Sequence, residues 1–186
     1  MNLDKFLGCI FGVAVGDALG MPFETMTAEQ IHETVGIVDR YYSPSVNPRP
    51  FSSLKGLSLG SWTDDTQLTL ATMEALIETN GRFDMDAIAR KHVEAYLSPE
   101  RRGWGRSTRN SCKRLSEGMS GRESGEPGGS GNGVMMKIAP LGLYTSAVPF
   151  DRIHFVEFAE MTHREPYAIV AGCVHAWMVE TLARIT

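Results

Sequence analysis

The sequence predicts an all-α protein, and three observations support this. Apolar residues recur at the 3.6-residue spacing of a helix in several segments separated by turn signals. No stretch shows the sustained period-two alternation of strands, and there is no internal repeat. At 186 residues with 42% apolar content, the chain is long enough to bury a core and is expected to form a single domain over residues 1–186.

The first predicted helix covers residues 4–19 and carries glycine at every fourth position. These glycines are Gly8, Gly12, Gly16 and Gly20. Each glycine inside a helix costs about 1 kcal/mol relative to alanine. Four in one row therefore predict that another helix approaches this stripe closely.

Five further helices are predicted from apolar periodicity and from stop signals. They cover residues 63–81, 84–97, 107–115, 149–161 and 166–186, and the last is expected to be still running at Thr186. The stretches 41–60 and 118–133, rich in proline and glycine respectively, are expected to be loops. In such a fold the long loops are expected to hold the chemistry.

The charge of the chain excludes a general nucleic-acid or anionic-membrane binder. The formal net charge is −4, which gives no overall attraction for polyanions. Between Arg101 and Arg114 there are basic residues but no acidic ones. This cluster is expected to be a solvated helix face, with a contact to a phosphate or to a partner as the alternative.

The cysteines and the N-terminus predict a cytoplasmic protein. Cys9, Cys112 and Cys173 are odd in number and far apart, which argues against a disulfide framework. The first residues lack the layout of a signal peptide, and Asp17 is expected to interrupt the apolar run before it reaches a membrane span. No membrane association is expected.

The sharpest local motif is Ser-Trp-Thr-Asp-Asp-Thr at 61–66. The hydroxyl of Thr63 and the carboxylates of Asp64 and Asp65 offer the oxygen ligands that Mg²⁺, Mn²⁺ or Ca²⁺ prefer. The alternative is helix capping, in which Thr63 or Asp64 is the N-cap and the acids complement the helix dipole.

Two more acids lie at and beyond the end of the first helix. Asp17 stands among apolar residues, where a carboxylate needs a hydrogen-bonded or cationic partner. A structural hydrogen bond to a neighbouring helix end is the simple interpretation. Glu24 is predicted either to approach a substrate, a water or a metal, or to be a surface acid in a loop.

A glycine-rich turn at 128–133 and a histidine at 163 are weaker signals. Exposed backbone N–H groups in such a turn can bind phosphate oxygens, although the turn is neither a P-loop nor a dinucleotide fingerprint. His163 lies in a predicted helix-to-helix junction, where it is either structural or in contact with a ribose or phosphate.

Together these motifs resemble the ADP-ribosylglycohydrolase family over nearly the whole chain. The resemblance rests on four segments in order: GCIFGVAVGDALGMPFE at 8–24, SWTDDTQLTL at 61–70, GSGNGVMMKIAPLGL at 129–143 and MTHREP at 161–166. It implies an orthogonal helical bundle with a two-metal centre, Mg²⁺ or Mn²⁺, below a cleft for ADP-ribose.

The resemblance also implies roles for individual residues. Thr63, Asp64 and Asp65 would be metal ligands, and Glu24 or Asp65 would handle the proton of the attacking water. The loop would embrace the pyrophosphate and ribose, and its members are Gly129, Ser130, Gly131, Asn132 and Gly133. His163 would lie near the nucleotide.

Two departures from the family pattern bear on activity. Lys137 stands where the family commonly has arginine. Lysine keeps the positive charge but cannot donate the two parallel hydrogen bonds of a guanidinium group. The family's second ligand cluster, Asp-x-Asp-Thr or Asp-x-Asp-Ser, is not found after residue 138.

The implied activity is hydrolysis of the glycosidic bond that joins ADP-ribose to a protein side chain or a small conjugate. The bundle would then lack its C-terminal part, and one alternative is a catalytically incomplete chain that a second chain or self-association completes. Another alternative is a non-enzymatic, crystallin-like or ADP-ribose-binding member of the fold.

Overall fold

The structure, a computed structural model, describes residues 3–149 and 151–185, and these form eight α-helices and no strand. The helices are α1 (Leu3–Gly20), α2 (Ala28–Val35), α3 (Asp64–Glu78), α4 (Met85–Leu97), α5 (Arg106–Ser116), α6 (Ala139–Ala147), α7 (Ile153–Glu160) and α8 (Pro166–Arg184). The predicted all-α class is confirmed.

Helix ends follow local chemistry. The side chain of Asp84 caps α4 by accepting hydrogen bonds from the N–H groups of Asp86 and Ala87, at 3.0 and 3.1 Å. The predicted last helix is too long, because Ile185 is already extended and α8 ends at Arg184; Thr186 lies outside the described residues. The helix predicted over 149–161 begins only at Ile153, and Phe150 also lies outside the described residues.

Two helices were not predicted. Helix α2 begins with a capping box, in which the Thr27 hydroxyl accepts from the Gln30 N–H and the Gln30 side chain accepts from the Thr27 N–H. Helix α6 has Pro140 in its first turn and is buried on most sides, so that it lacks an amphipathic period.

The main core lies between α3, α4, α6, α7 and α8, and α6 packs against α8. Ile138, Leu141, Phe155, Phe158 and Met161 are all buried there. The helices approach closely at one glycine: a Cβ built on Gly142 would lie 2.4 Å from the carbonyl oxygen of Ala176.

Helix α1 lies against α3, α6 and α8. The prediction that another helix approaches its glycine stripe is not met among the described residues. A Cβ built at any of the four positions meets no atom within 4 Å. The stripe therefore faces open space, since α1 uses its other faces for packing.

Helices α1 and α8 each expose large apolar side chains, and we call these residues together the α1/α8 face. Its large side chains are Leu3, Leu7, Phe11, Val15, Val170, Val174, Trp177, Met178 and Leu182. By length and hydropathy the segment Leu3–Phe23 would suffice to cross a membrane. The expectation that Asp17 interrupts the span was thus wrong, because one acid barely lowers the mean hydropathy of so apolar a segment.

Candidate active site

The carboxylate of Asp17 holds the beginning of α3. Its Oδ2 accepts from the N–H groups of Thr63 and Thr66, at 2.7 and 3.1 Å, and from the Thr66 hydroxyl at 2.6 Å. Its Oδ1 accepts from the Thr63 hydroxyl at 2.7 Å. Asp17 thus has the structural hydrogen bonds considered from sequence, and an acid on α1 satisfies the first N–H groups of α3.

This arrangement overturns the capping interpretation of Thr63. Thr63 occupies the N-cap position of α3, but its side chain accepts no capping hydrogen bond. Because Asp17 does the capping, Asp64 and Asp65 in the first turn are not needed for it. Asp64 is buried and Asp65 half-buried.

The two adjacent acids are held in an environment that disfavours their charge. Burial raises the pKa of Asp64 to about 6, and the negative charges of Asp17 and Glu24 add to this shift. The hydrogen bond that Asp64 accepts from the Gly105 N–H, at 3.3 Å, lowers the pKa in part. Burial and the charges of Asp64 and Asp17 raise the pKa of Asp65 to about 7. Among residues 3–149 and 151–185, neither acid forms an ion pair.

Glu24 follows a buried 3₁₀ turn, Met21–Phe23, which continues from α1. Its carbonyl oxygen accepts from Asn47 Nδ2 at 2.8 Å, and the next residue, Thr25, has a left-handed φ of 70°. A β-branched residue there is strained, as is common at functional sites. Burial and the charges of Asp65 and Asp17 raise the pKa of Glu24.

The loop between α4 and α5, residues 98–105, packs against the beginning of α3. Gly103 has a φ of +79°, and a Cβ there would lie 2.6 Å from Thr63 Cβ and 2.9 Å from Asp64 Oδ1. Glycine is required at this position for both conformation and space.

Two adjoining cavities, of about 230 and 140 Å³, meet at these acids. Both are lined by Glu24, Asp64, Asp65 and Asn132. The larger cavity continues along α1 to Gly16, and the smaller one reaches the start of α5 and His163. We call the two together the cleft.

The glycine-rich loop is anchored to α5 and to the turn before α8. Glu126 accepts from Asn110 Nδ2 at 3.1 Å and forms an ion pair with Arg114 at 2.7 Å. Its backbone pairs with Thr162 and Arg164 in an isolated bridge. These contacts fix one end of the loop and leave residues 131–133 at the cleft.

Only part of the predicted binding loop reaches the cleft. Gly131, Asn132 and Gly133 line it. Gly129 instead packs on α5, where a Cβ would lie 2.9 Å from the hydroxyl oxygen of Ser107, and Ser130 is exposed and lines neither cavity.

His163 is buried at the cleft wall, and its neighbour Thr162 contacts Lys137. The ammonium of Lys137 is fully buried, donates to Thr162 Oγ1 at 2.8 Å and lies 5.1 Å from the Phe158 ring centroid. Burial lowers the pKa of Lys137 to about 8. Burial and the charge of Lys137 lower the pKa of His163 to about 4, so that its imidazole is neutral at pH 7.

Sequence reasoning missed Ser107 and Thr108 in the first turn of α5, whereas Arg106 belongs to the basic cluster between Arg101 and Arg114, for which a phosphate contact was the alternative. Arg106, Ser107 and Thr108 line the smaller cavity, and α5 has no side-chain cap at Gly105. The glycines and hydroxyls around the start of α5 were the available signal. Of the other basic residues in this cluster, Arg114 binds Glu126, and the guanidinium of Arg102 lies 4.6 Å from the Trp62 ring centroid.

The oxygen atoms at the beginning of α3 are of the kind that a hard divalent cation prefers, but the described residues offer too few ligand side chains for a complete site. Thr63, Asp64 and Asp65 supply oxygen ligands, and burial and the neighbouring acids raise the pKa values of both aspartates. Across residues 3–149 and 151–185, no group of three or more His, Cys, Asp or Glu side chains is placed to hold a metal ion.

Comparison with known proteins agrees with this fold. A family model described as ADP-ribosylglycohydrolase matches residues 1–186. The ADP-ribosyl-[dinitrogen reductase] glycohydrolase of Rhodospirillum rubrum is 30% identical over 181 residues, which are 96% of this chain and 58% of that protein. The ADP-ribosylarginine hydrolase Tri1 of Serratia proteamaculans is 31% identical over 150 residues, which are 77% of this chain and 37% of that protein.

A solved structure described as an ADP-ribosylglycohydrolase-related protein complex matches with a TM-score of 0.72 at 28% sequence identity. The match covers 97% of this chain and 56% of the chain in that structure. The chain therefore belongs to the ADP-ribosylglycohydrolase family and has its all-α bundle fold. It spans about half the length of the curated relatives that it matches over almost its whole length.

Proposed function

We propose that this chain carries the ADP-ribose cleft and part of the metal centre of a hydrolase that releases ADP-ribose from a protein side chain or a small conjugate. The observation that carries the proposal is the convergence of Glu24, Asp64 and Asp65 with Asn132 in one cleft. The names of the relatives, which act on ADP-ribosylated arginine and on dinitrogen reductase, support the substrate class.

Each part of the cleft has a distinct task in this proposal. The N-terminus of α5 and the backbone of Gly131 and Gly133 bind the pyrophosphate, because their N–H groups present partial positive charge. Asn132 contacts the ribose. Glu24 or Asp65 accepts the proton of the attacking water, because both carboxylates line the cleft.

Thr63, Asp64 and Asp65 would hold Mg²⁺ or Mn²⁺. Bound there, the ion would supply Lewis acidity and stabilise negative charge near the ribose. The hydrogen bonds from Thr63 and Thr66 to Asp17 keep the first turn of α3, and with it both acids, in place.

Further polypeptide completes the site. A groove of about 450 Å³ between α1 and α8 is lined by Gly16, Asp17, Asp65 and Asn132, so it is continuous with the cleft. The open glycine stripe and the α1/α8 face fit a helical segment corresponding to the part of the relatives beyond the matched half. That segment would also bring the missing metal ligands.

Calorimetric titration of ADP-ribose into the chain, with and without Mg²⁺, tests this function. We expect binding that Mg²⁺ strengthens and that Asp65→Asn weakens at least tenfold. Asp86→Asn is the matched control, because Asp86 is also an acid in the first turn of a helix but lines neither cavity. Absence of ADP-ribose binding by the wild type would refute the proposal.

Release of ADP-ribose from arginine-linked and serine-linked peptides then identifies the linkage. Metal-dependent release that Asp65→Asn and Glu24→Gln abolish would support hydrolysis at this cleft. Release that both variants retain would place the chemistry elsewhere.

A further inference from the structure

A chain of three polar groups lies beneath the cleft. Lys137 Nζ is 2.8 Å from Thr162 Oγ1, and the same oxygen is 3.0 Å from His163 Nδ1. All three residues are buried. Of the three, His163 lines the cleft and Lys137 lies at the other end of this hydrogen-bonded series.

The number of protons fixes the direction of these hydrogen bonds. An ammonium group only donates, so Thr162 Oγ1 accepts from Lys137. The Thr162 hydroxyl has one proton, and His163 Nδ1 is its only neighbouring acceptor in the described part of the chain. A proton on Nδ1 would leave the hydroxyl proton without an acceptor and would lie near the Lys137 ammonium, so Nδ1 accepts from Thr162 and the neutral imidazole carries its proton on Nε2.

The Nε2 edge of His163 faces the cleft. A Cβ built on Gly133 would lie 2.5 Å from Cε1 and 2.9 Å from Nε2, and both residues line the smaller cavity. Within residues 3–149 and 151–185, Nε2 has no hydrogen-bond partner. Because this nitrogen is accessible from the cleft, its N–H is available to an acceptor on a bound ligand.

We propose that Lys137 and Thr162 are positioning residues that fix His163 as an Nε2–H donor to an oxygen of the ligand in the cleft. The identity of the ligand rests on the proposed function, whereas the tautomer does not. Arg106 and the first turn of α5 favour an anionic oxygen there, and the acids Glu24, Asp64 and Asp65 of the same small cavity are the ones to which the proposed function assigns the cation and the water. A neutral histidine donates there without the cost of burying another charge.

Nuclear magnetic resonance of the nitrogen-15-labelled 186-residue chain without ligand tests the tautomer. Long-range proton–nitrogen spectra at neutral pH should show His163 as a single Nε2–H form. Lys137→Met should give intermediate nitrogen shifts, because no positive charge then disfavours a proton on Nδ1, whereas Lys137→Arg should keep the wild-type pattern. An Nδ1–H form in the wild type, or unchanged shifts in Lys137→Met, would overturn the proposal.

A second pair of variants tests the effect on the ligand. Thr162→Val should weaken ADP-ribose binding about tenfold, and Thr162→Ser, which restores the hydroxyl, should stay within about twofold of the wild type. Equal affinities for the two variants would show that the hydroxyl does not position His163. If the wild type binds no ADP-ribose, the proposed function fails, and the spectra still decide the tautomer.

Discussion

The hydroxyl of Thr63 donates to Asp17 Oδ1 at 2.7 Å, so that a carboxylate in the last turns of α1 organises the beginning of α3. The same carboxylate accepts three further hydrogen bonds from Thr63 and Thr66. Asp17 thereby couples the helix that leads to Glu24 with the helix that carries Asp64 and Asp65.

The first prediction concerns this cap. Asp17→Asn should destabilise the chain by about 2 kcal/mol or more, because charge-assisted hydrogen bonds to the first turn of α3 are lost. Denaturant unfolding at pH 7 measures the change. Relief of repulsion with the neighbouring acids opposes this loss, but Asp17 is a lesser cause of their raised pKa values than burial. An unchanged free energy of unfolding would contradict the capping role.

The second prediction concerns pH. The pKa of Asp65 rises from 3.8 to about 7 on folding, so its contribution to stability is full below pH 3.8 and is lost as pH rises through 7. In the absence of metal, Asp65→Asn should therefore stabilise the chain by roughly 1–3 kcal/mol at pH 8 and by almost nothing at pH 4. Unfolding curves at both pH values measure this difference. A stabilisation that does not grow with pH would show that Asp65 is not the group concerned.

The third prediction compares two glycines of the same loop. Gly133→Ala should cost about 1–3 kcal/mol, because its Cβ would overlap the His163 ring and the Thr108 hydroxyl. Gly131→Ala is the control, since its Cβ meets nothing within 4 Å. Chemical denaturation measures both. Equal costs would mean that residues 131–133 are not packed on His163 in this way.

The fourth prediction concerns the α1/α8 face. Phe11→Ser should change the stability of the chain by less than about 1 kcal/mol, because Phe11 is 65% exposed. Phe155→Ser should cost at least about 3 kcal/mol, since Phe155 is 2% exposed. Unfolding measurements combined with light scattering test this pair. A large cost for Phe11→Ser together with a dimeric mass would show that a second copy covers the face.

Much of the fold could be read from periodicity. Helices α1, α3, α4 and α5 are long, amphipathic or well capped, and their predicted bounds agree with the structure within a few residues. Helix α6 was missed because a helix buried on most sides has no polar face to reveal its period.

The site was predicted through its acids and only partly through its loops. Asp64 and Asp65 stand out in sequence because adjacent carboxylates flanked by hydroxyls offer oxygen ligands, and the structure places them in the cleft with Glu24. The turn before α5 was missed, because Gly103 and Gly105 reveal their role only when packed against Asp64. From the sequence, Lys137 was noted only as a replacement for the arginine that is common in the family. Its hydrogen bond to Thr162 could not be predicted, because it depends on tertiary packing.

We propose a divalent-cation site at the first turn of α3. Titration of Mn²⁺ into the chain, followed by the electron paramagnetic resonance signal of free Mn²⁺, is the decisive experiment. We predict that the wild type removes Mn²⁺ from solution, that Mg²⁺ competes, and that Asp64→Asn and Asp65→Asn abolish binding whereas Asp86→Asn does not. Binding that survives both substitutions, or a wild type that leaves all the Mn²⁺ free, would contradict the account.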